Sequence, residues 1–409
     1  MSYLILFFLV LLVKKRTRFT LLSPLVLFYL FFFSAIVLSV IYHYYYPEDL
    51  KFNIARLDEI DNLELWFSIE VFVEMLIYFS IGVMSYKLLF KINKNDKEIF
   101  KIKLPKINIK KLETTAIGLI ILDFILTLIL YGEEFFFRLS YRVDYNKLGV
   151  MVLEYTLLIL IFIGALLIKK KIFLSLFTAI FVTMLCIGFG SRMATIYLMV
   201  YVFVILLLYV RKSQISLALF FLIPIITLFF GYNISLRFND LHGLIPYLQL
   251  PFKDFESVIE NTFFNIYYTF IFGVFATFKT IAENIPNTDY LITSINPLPG
   301  FMTDWYEIYK DLRINPYAPF TAIGEIFSYK SVPFYFYFIA GWLFSHSEKV
   351  ISELFSKKKM FMGFVLFLVI SAFIPYSFEY NLRSAVRFLY YSLFIIWIIM
   401  LFSKYKFTK

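Results

Sequence analysis

The sequence predicts an all-α polytopic membrane protein of about 11 transmembrane helices with one large external loop. Three observations predict it. Of the 409 residues, 61% are hydrophobic. The apolar residues fall in runs near the length that crosses a bilayer. Lysine gathers in the short segments between alternate runs, the positive-inside pattern. A membrane barrel would alternate apolar and polar residues, and these runs do not.

In chain order the predicted spans are 2–13, 20–43, 65–90, 113–131, 148–168, 172–188, 193–210, 214–232, 331–346, 361–376 and 384–403. The first is short and is followed by "KKRTR", with no small-residue cleavage site of a secretory signal. Its basic flank lies on the C-terminal side, which places the N-terminus outside. One alternating set of loops, with the C-terminal tail, then holds 24 of the 39 basic residues and five of the 29 acidic ones. That side is expected to be cytoplasmic, and the tail lies on it. The segment "NTFFNIYYTFIFGVFATF" (261–278) would invert every later span if it crossed, so it reads as an interfacial or re-entrant helix. The chain is thus one integrated membrane domain: eight spans in 1–232, a large external loop with short helices in 233–330, and three spans in 331–409. The loop is rich in proline, tyrosine and asparagine, and its apolar content points to a folded roof.

Several function classes are excluded at this level. The net charge of +10 sits in cytoplasmic loops rather than on a nucleic-acid face. A single cysteine, Cys186, forbids an internal disulfide and makes a cysteine metal site implausible. His43, His242 and His346 are too scattered for a zinc motif. No cofactor and no metal is expected.

Basic residues outside need a reason. Arg56, Arg138, Arg142, Arg192, Arg237, Arg313, Arg383 and Arg387 are external, against six lysines. A guanidinium fork holds two phosphate oxygens at once and stays charged when partly desolvated. The arginine-rich outer face therefore suits a phosphate or diphosphate, with snorkelling to lipid headgroups as the plainer reading. Arg192 stands in "IGFGSRMATIYLMVY", in a short turn beside Gly188 and Gly190, which permit close backbone approach. Arg237 follows a span. Arg383 and Arg387, in "EYNLRSAVRFLYY", share one helical face and repel unless an anion lies between them, or unless Glu379 pairs with Arg383. Four acids fall within spans: Glu70, Glu74, Asp123 and Glu154. Their cost in hydrocarbon predicts that they face the bundle interior, most simply as ion-pair partners.

The stretch "GFGSRMATIYLMVYVFVILLLYV" resembles the Gly-Ser-Arg segment opening a long span in the O-antigen polymerase (Wzy) family. "NPYAPFTAIGEIFSYKSVPFYFYFIAGWLF" is similar to that family's proline, glycine-glutamate and aromatic segment leading into a span. The resemblance implies an enzyme that polymerises oligosaccharide repeat units carried on polyprenyl diphosphate, outside the cytoplasmic membrane, for a lipopolysaccharide, capsule or other surface polysaccharide. It implies that outward arginines hold the lipid diphosphate, mapping first onto Arg192 and then onto Arg237. Membrane lipid is a partner, a chain-length regulator protein is a further candidate partner, and nucleic acid is not one. Transfer between lipid-linked units needs stabilisation of the departing diphosphate and a base for the attacking hydroxyl. Glu325 in "AIGEIF", and Asp304 and Glu307 in "TDWYE", are the candidate bases, with salt bridges or helix caps as their structural alternatives. Trp305, Tyr306, Tyr309 and Tyr317 offer faces for sugar rings. His242 in "NDLHGL" keeps an O-antigen ligase in view. "LDEIDN" (57–62), with Asp58, Glu59 and Asp61, keeps a metal-using lipid-dependent glycosyltransferase in view. The intramembrane acids keep a lipid-linked sugar flippase or transporter in view.

Overall fold

The computed structural model describes residues 6, 23–47, 51–52, 60–90, 108–141, 146–191, 193–209, 212–315, 318–357 and 359–404. The chain is an all-α membrane protein. Its helices are α1 (Pro24–Tyr45), α2 (Asn62–Leu89), α3 (Ile109–Tyr131), α4 (Lys147–Leu167), α5 (Ile172–Gly188), α6 (Met193–Tyr209), α7 (Lys212–Ser235), α8 (Leu244–Lys253), α9 (Phe255–Phe270), α10 (Phe272–Glu283), α11 (Thr288–Ile295) and α12 (Trp305–Ile308). A two-stranded antiparallel pair follows, β1 (Arg313–Asn315) and β2 (Ala318–Pro319). The chain then forms α13 (Ala322–Phe327), α14 (Val332–Ser356), α15 (Met360–Glu379) and α16 (Leu382–Lys404).

Among the described residues six helices are long and apolar enough to cross a membrane: α1, α2, α3, α4, α15 and α16. α5, α6 and the C-terminal half of α7 are shorter apolar helices. The predicted span 2–13 lies outside the described residues, Leu6 excepted. The predicted span 331–346 is the first part of α14, which runs on through Glu348, Lys349 and Glu353 to Ser356.

The chain divides into two compact units. One comprises 1–103 and 267–409, the other 104–266. The division falls inside the stretch 233–330.

In the first unit α2 and α14 meet backbone to backbone. A side chain at Gly82 would run into the Phe338 carbonyl, and one at Gly341 into the Phe79 carbonyl. Small residues at a crossing allow the close approach that helices in lipid use in place of a hydrophobic drive. Aromatics fill the rest: Phe28 stacks on Phe79 with ring centres 3.8 Å apart, and Phe344 meets both edge-on. The segment 261–278 is not one helix. It breaks at Ile271, and the residues from Ile271 to Thr277 are buried, with Gly273 against Phe378. That half is core rather than a surface helix.

In the second unit α4 packs on α3, α5 and α6. Gly164 makes room for Thr178, and the Ser175 hydroxyl donates to the Gly164 carbonyl at 2.6 Å. α3 keeps a broad apolar face exposed, including Ile117, Ile121, Ile125 and Leu128, as a lipid-facing helix must.

Candidate functional site

The most developed polar site lies in the first unit, at the start of α16. Its first turn is capped twice. Asn381 Oδ1 accepts from the Ser384 N–H at 3.0 Å, an ordinary N-cap. Glu325 Oε1 accepts from the Leu382 N–H at 3.0 Å. Glu325 can reach it because α13 is pinned on both sides: the Ala322 N–H donates to the Tyr380 carbonyl, and the Thr321 N–H donates to Thr280 Oγ1. Gly324 sits so close to Thr280 that a side chain would collide with it. Glu325 is 3% exposed. Burial pushes its carboxyl up to about 8, only partly offset by the bond from Leu382. A carboxyl that is neutral near pH 7 and buried against a helix start is a cap. It is poorly suited to be the base that the sequence suggested.

Arg383 and Arg387 follow one turn apart, and their surroundings differ. Arg383 is 1% exposed. Its Nη1 donates to the Thr293 carbonyl and its Nη2 to the Leu298 carbonyl, and its guanidinium lies 5.0 Å from the Trp305 ring centre. Tyr390 donates to the Ile295 carbonyl. These carbonyls belong to the end of α11 and the segment after it, where helix carbonyls lack intrahelical partners. Arg383 therefore holds the loop to α16. It does so in place of the ion pair with Glu379 that the spacing allowed. Arg387 is half-buried and makes no ion pair or hydrogen bond among the described residues.

Above Arg383, Trp305, Leu312 and Phe320 form a small core with Tyr290, Ile308, Tyr309 and Ile314 packed on it. Trp305 is thus a buried cover for Arg383, not an open sugar platform. Tyr309 lies under the Arg313 guanidinium at 4.2 Å. Tyr306 stays exposed, and Tyr317 lies outside the described residues. Asp304 and Glu307 are both exposed on this loop. Asp304 opens α12 through its backbone carbonyl and makes no side-chain cap.

No family model, curated protein or solved structure matches the chain.

The second unit carries the glycine turn. Arg192 itself lies outside the described residues. The guanidinium at that turn is Arg138, which is buried and donates from Nη1 to the Gly188 carbonyl at 2.8 Å and to the Glu134 carbonyl at 3.1 Å. Gly190 has φ +71°, and a side chain there would meet Tyr141 and Tyr247. The close approach expected of these glycines is thus real, and the groups that approach are aromatic. Arg138 and His242 pair backbone to backbone, and His242 Nδ1 bonds the Tyr247 hydroxyl at 2.8 Å. Burial, then the Arg138 charge, holds His242 below its ordinary pKa. A buried, neutral, bonded histidine is a structural link rather than the open base a ligase reading needs. Arg237 is exposed and lies over Tyr141 at 5.7 Å. The sequence places Arg138 only among the outer arginines; its link to Gly188 passes over two helices, α4 and α5, and leaves no local signature.

The intramembrane acids divide in a way the sequence reading did not expect. Only Asp123 is buried; Glu70, Glu74 and Glu154 are exposed. On α2 the buried stripe is Leu65, Ile69, Phe72, Leu76, Phe79 and Val83. Glu70 and Glu74 fall off that stripe, and Glu74 accepts from Tyr78. Neither oxygen of Asp123 has a well-formed hydrogen bond. The neighbouring Thr156 hydroxyl donates to the Val152 and Leu153 carbonyls instead. Of the acids in 57–62, Asp58 and Glu59 lie outside the described residues. Asp61 is used as the N-cap of α2 in a reciprocal box with Glu64.

Proposed function

We propose that the protein is a membrane glycosyltransferase that polymerises lipid-linked oligosaccharide repeat units outside the cytoplasmic membrane. The observation that carries this reading is Arg387. It is a half-buried guanidinium one turn from a second, buried guanidinium, with no carboxylate paired to it among the described residues. Two like charges on one helical face are costly unless an anion joins them. A diphosphate matches the pair in charge, and its oxygens suit the guanidinium fork of Arg387.

The chemistry follows from that assignment. A hydroxyl of one lipid-linked unit attacks the anomeric carbon of another. A new glycosidic bond forms, the bond from that carbon to the diphosphate oxygen breaks, and the hydroxyl proton passes to a carboxylate. Charge grows on the departing diphosphate, where Arg387 stabilises it in a partly water-excluded setting. Arg383 is a positioning residue, because its guanidinium is taken by the loop carbonyls. Asp304 and Glu307, exposed on that loop, are the remaining candidate bases, and Glu325 sets the start of α16. Arg192 and Arg237 stay candidates for a phosphate contact in the second unit. The lysine-rich loops support a cytoplasmic position for one face and an outer position for this loop.

The test is chain lengthening by the purified protein with lipid-linked oligosaccharide in detergent. Longer glycans, lost in Arg387→Lys at unchanged folding, are expected. Movement of lipid across a bilayer without any lengthening would instead favour a transporter.

A further inference from the structure

Arg387 stands at a boundary on α16. At 100° per residue, Arg383, Arg387, Tyr391, Phe394 and Leu401 share one face of this helix. Cover falls away over its first three turns. Arg383 is 1% exposed, Arg387 and Tyr390 are half-buried, and Tyr391 and Phe394 are 51% and 57% exposed. Trp397, beside that face, is 53% exposed and stacks on Phe394 with ring centres 5.9 Å apart. The loop thus roofs the start of the helix and reaches as far as Tyr390, whose hydroxyl holds the Ile295 carbonyl, and beyond it the aromatic strip is exposed. The roof's own edge is apolar as well. Leu298, whose carbonyl Arg383 holds, has an exposed side chain, as do Phe301 and Met302 just after it.

A cationic group at the head of a bare apolar strip is the complement of a lipid with an anionic head. We infer that the hydrocarbon chain of the lipid diphosphate lies along Tyr391, Phe394 and Trp397, with its diphosphate on Arg387 under the edge of the 298–302 segment. Charge selects this occupant over an ordinary phospholipid. Two guanidiniums within one turn call for more than the single charge of a phosphodiester. The inference rests on the proposed function for the identity of the lipid, and it adds where the chain runs and which side of the helix it approaches from.

The test uses detergent-purified full-length protein and three probes: farnesyl diphosphate, inorganic pyrophosphate and phosphatidylglycerol. Binding is read by native mass spectrometry. Farnesyl diphosphate is expected to bind at least tenfold more tightly than pyrophosphate. Phe394→Ala with Trp397→Ala is expected to weaken farnesyl diphosphate about tenfold and to leave pyrophosphate unchanged. Arg387→Lys should weaken both. Both aromatic side chains are more than half exposed, so their loss leaves the packed face of α16 intact. Cross-linking of a photoreactive prenyl diphosphate to α16 in the wild type gives a readout that needs no variant. Equal affinity for farnesyl diphosphate and pyrophosphate, or for farnesyl diphosphate and phosphatidylglycerol, would overturn the inference. If chain lengthening depends on Arg387 while the aromatic pair leaves every affinity unchanged, the chain path fails and the proposed function stands. If the strip binds farnesyl diphosphate and no lengthening is found, the reverse holds.

Discussion

Replacing Glu325 separates a cap from a catalytic base. In the folded chain its carboxyl titrates near 8, against an ordinary value of 4.5. The folded state therefore holds the proton over a pH range in which the unfolded chain has lost it. Stability is then greatest at low pH, falls as pH rises, and levels off above the folded value. At about 1.4 kcal/mol per pH unit, the loss between pH 6 and pH 8 is about 2 kcal/mol. Glu325→Gln keeps an oxygen for the Leu382 N–H and removes the titration. Its melting temperature should match wild type only below the ordinary carboxyl value of 4.5, exceed it at pH 6 and more so at pH 8, and change less with pH. Glu325→Ala leaves a buried N–H without a partner and a small void, and should cost about 2–4 kcal/mol. Thermal melts of the detergent-purified proteins from below pH 4.5 to above pH 8 measure both stability effects, and chain lengthening by Glu325→Gln tests for a catalytic role. Full activity in the glutamine variant is expected. A folded Glu325→Gln protein with no polymerase activity would return Glu325 to catalysis and refute the cap.

Three further outcomes follow from the packing. Arg383 and Arg387 should respond in opposite ways: Arg383→Gln should destabilise the first unit by roughly 3–5 kcal/mol through two lost charged hydrogen bonds, whereas Arg387→Lys should change the melting temperature little and abolish chain lengthening. Gly341→Leu should prevent assembly of the first unit, read as loss of monodisperse protein on size exclusion, because its side chain would enter the Phe79 carbonyl. His242 is held neutral in the fold, so protonation below its ordinary value of 6.5 costs stability; acidification through that range should lower the wild-type melting temperature, and His242→Gln should blunt the effect.

The parts of the fold legible in the sequence are those set by local composition. Apolar runs mark α1 to α7, α15 and α16 because a helix in lipid must be apolar along its own length. The glycines that mattered were visible too, and Gly188 and Gly190 do sit where side chains would collide with aromatic groups. What the sequence hid depends on partners distant in the chain. The segment 261–278 is uniformly apolar whether it lies on a surface or in a core, and only the contact of Gly273 with Phe378 decides it. The acids show a different limit. The cost of charge in hydrocarbon placed all four inside, yet the stripe from Leu65 to Val83 was already readable at helical spacing, and Glu70 and Glu74 lie off it. Applying periodicity before the desolvation argument would have put them on the exposed face.

The arginine pair shows why spacing alone does not assign a ligand contact. Residues four apart on a helix share a face, so the sequence makes Arg383 and Arg387 equivalent. Tertiary structure breaks the equivalence by covering one of them with Trp305 and the carbonyls of Thr293 and Leu298. A guanidinium already bonded to carbonyls and stacked on an indole has little left to gain from a phosphate. It does keep its full charge, because carbonyls are neutral and none of its bonds is to a carboxylate. Arg383 thus fixes the loop and at the same time adds to the positive field at Arg387, which makes no hydrogen bond or ion pair among the described residues. A neutral replacement at Arg383 that retained the loop would still weaken an anion at Arg387, by an amount that salt reduces. That salt dependence, measured on pyrophosphate binding, separates the field of Arg383 from its bonds.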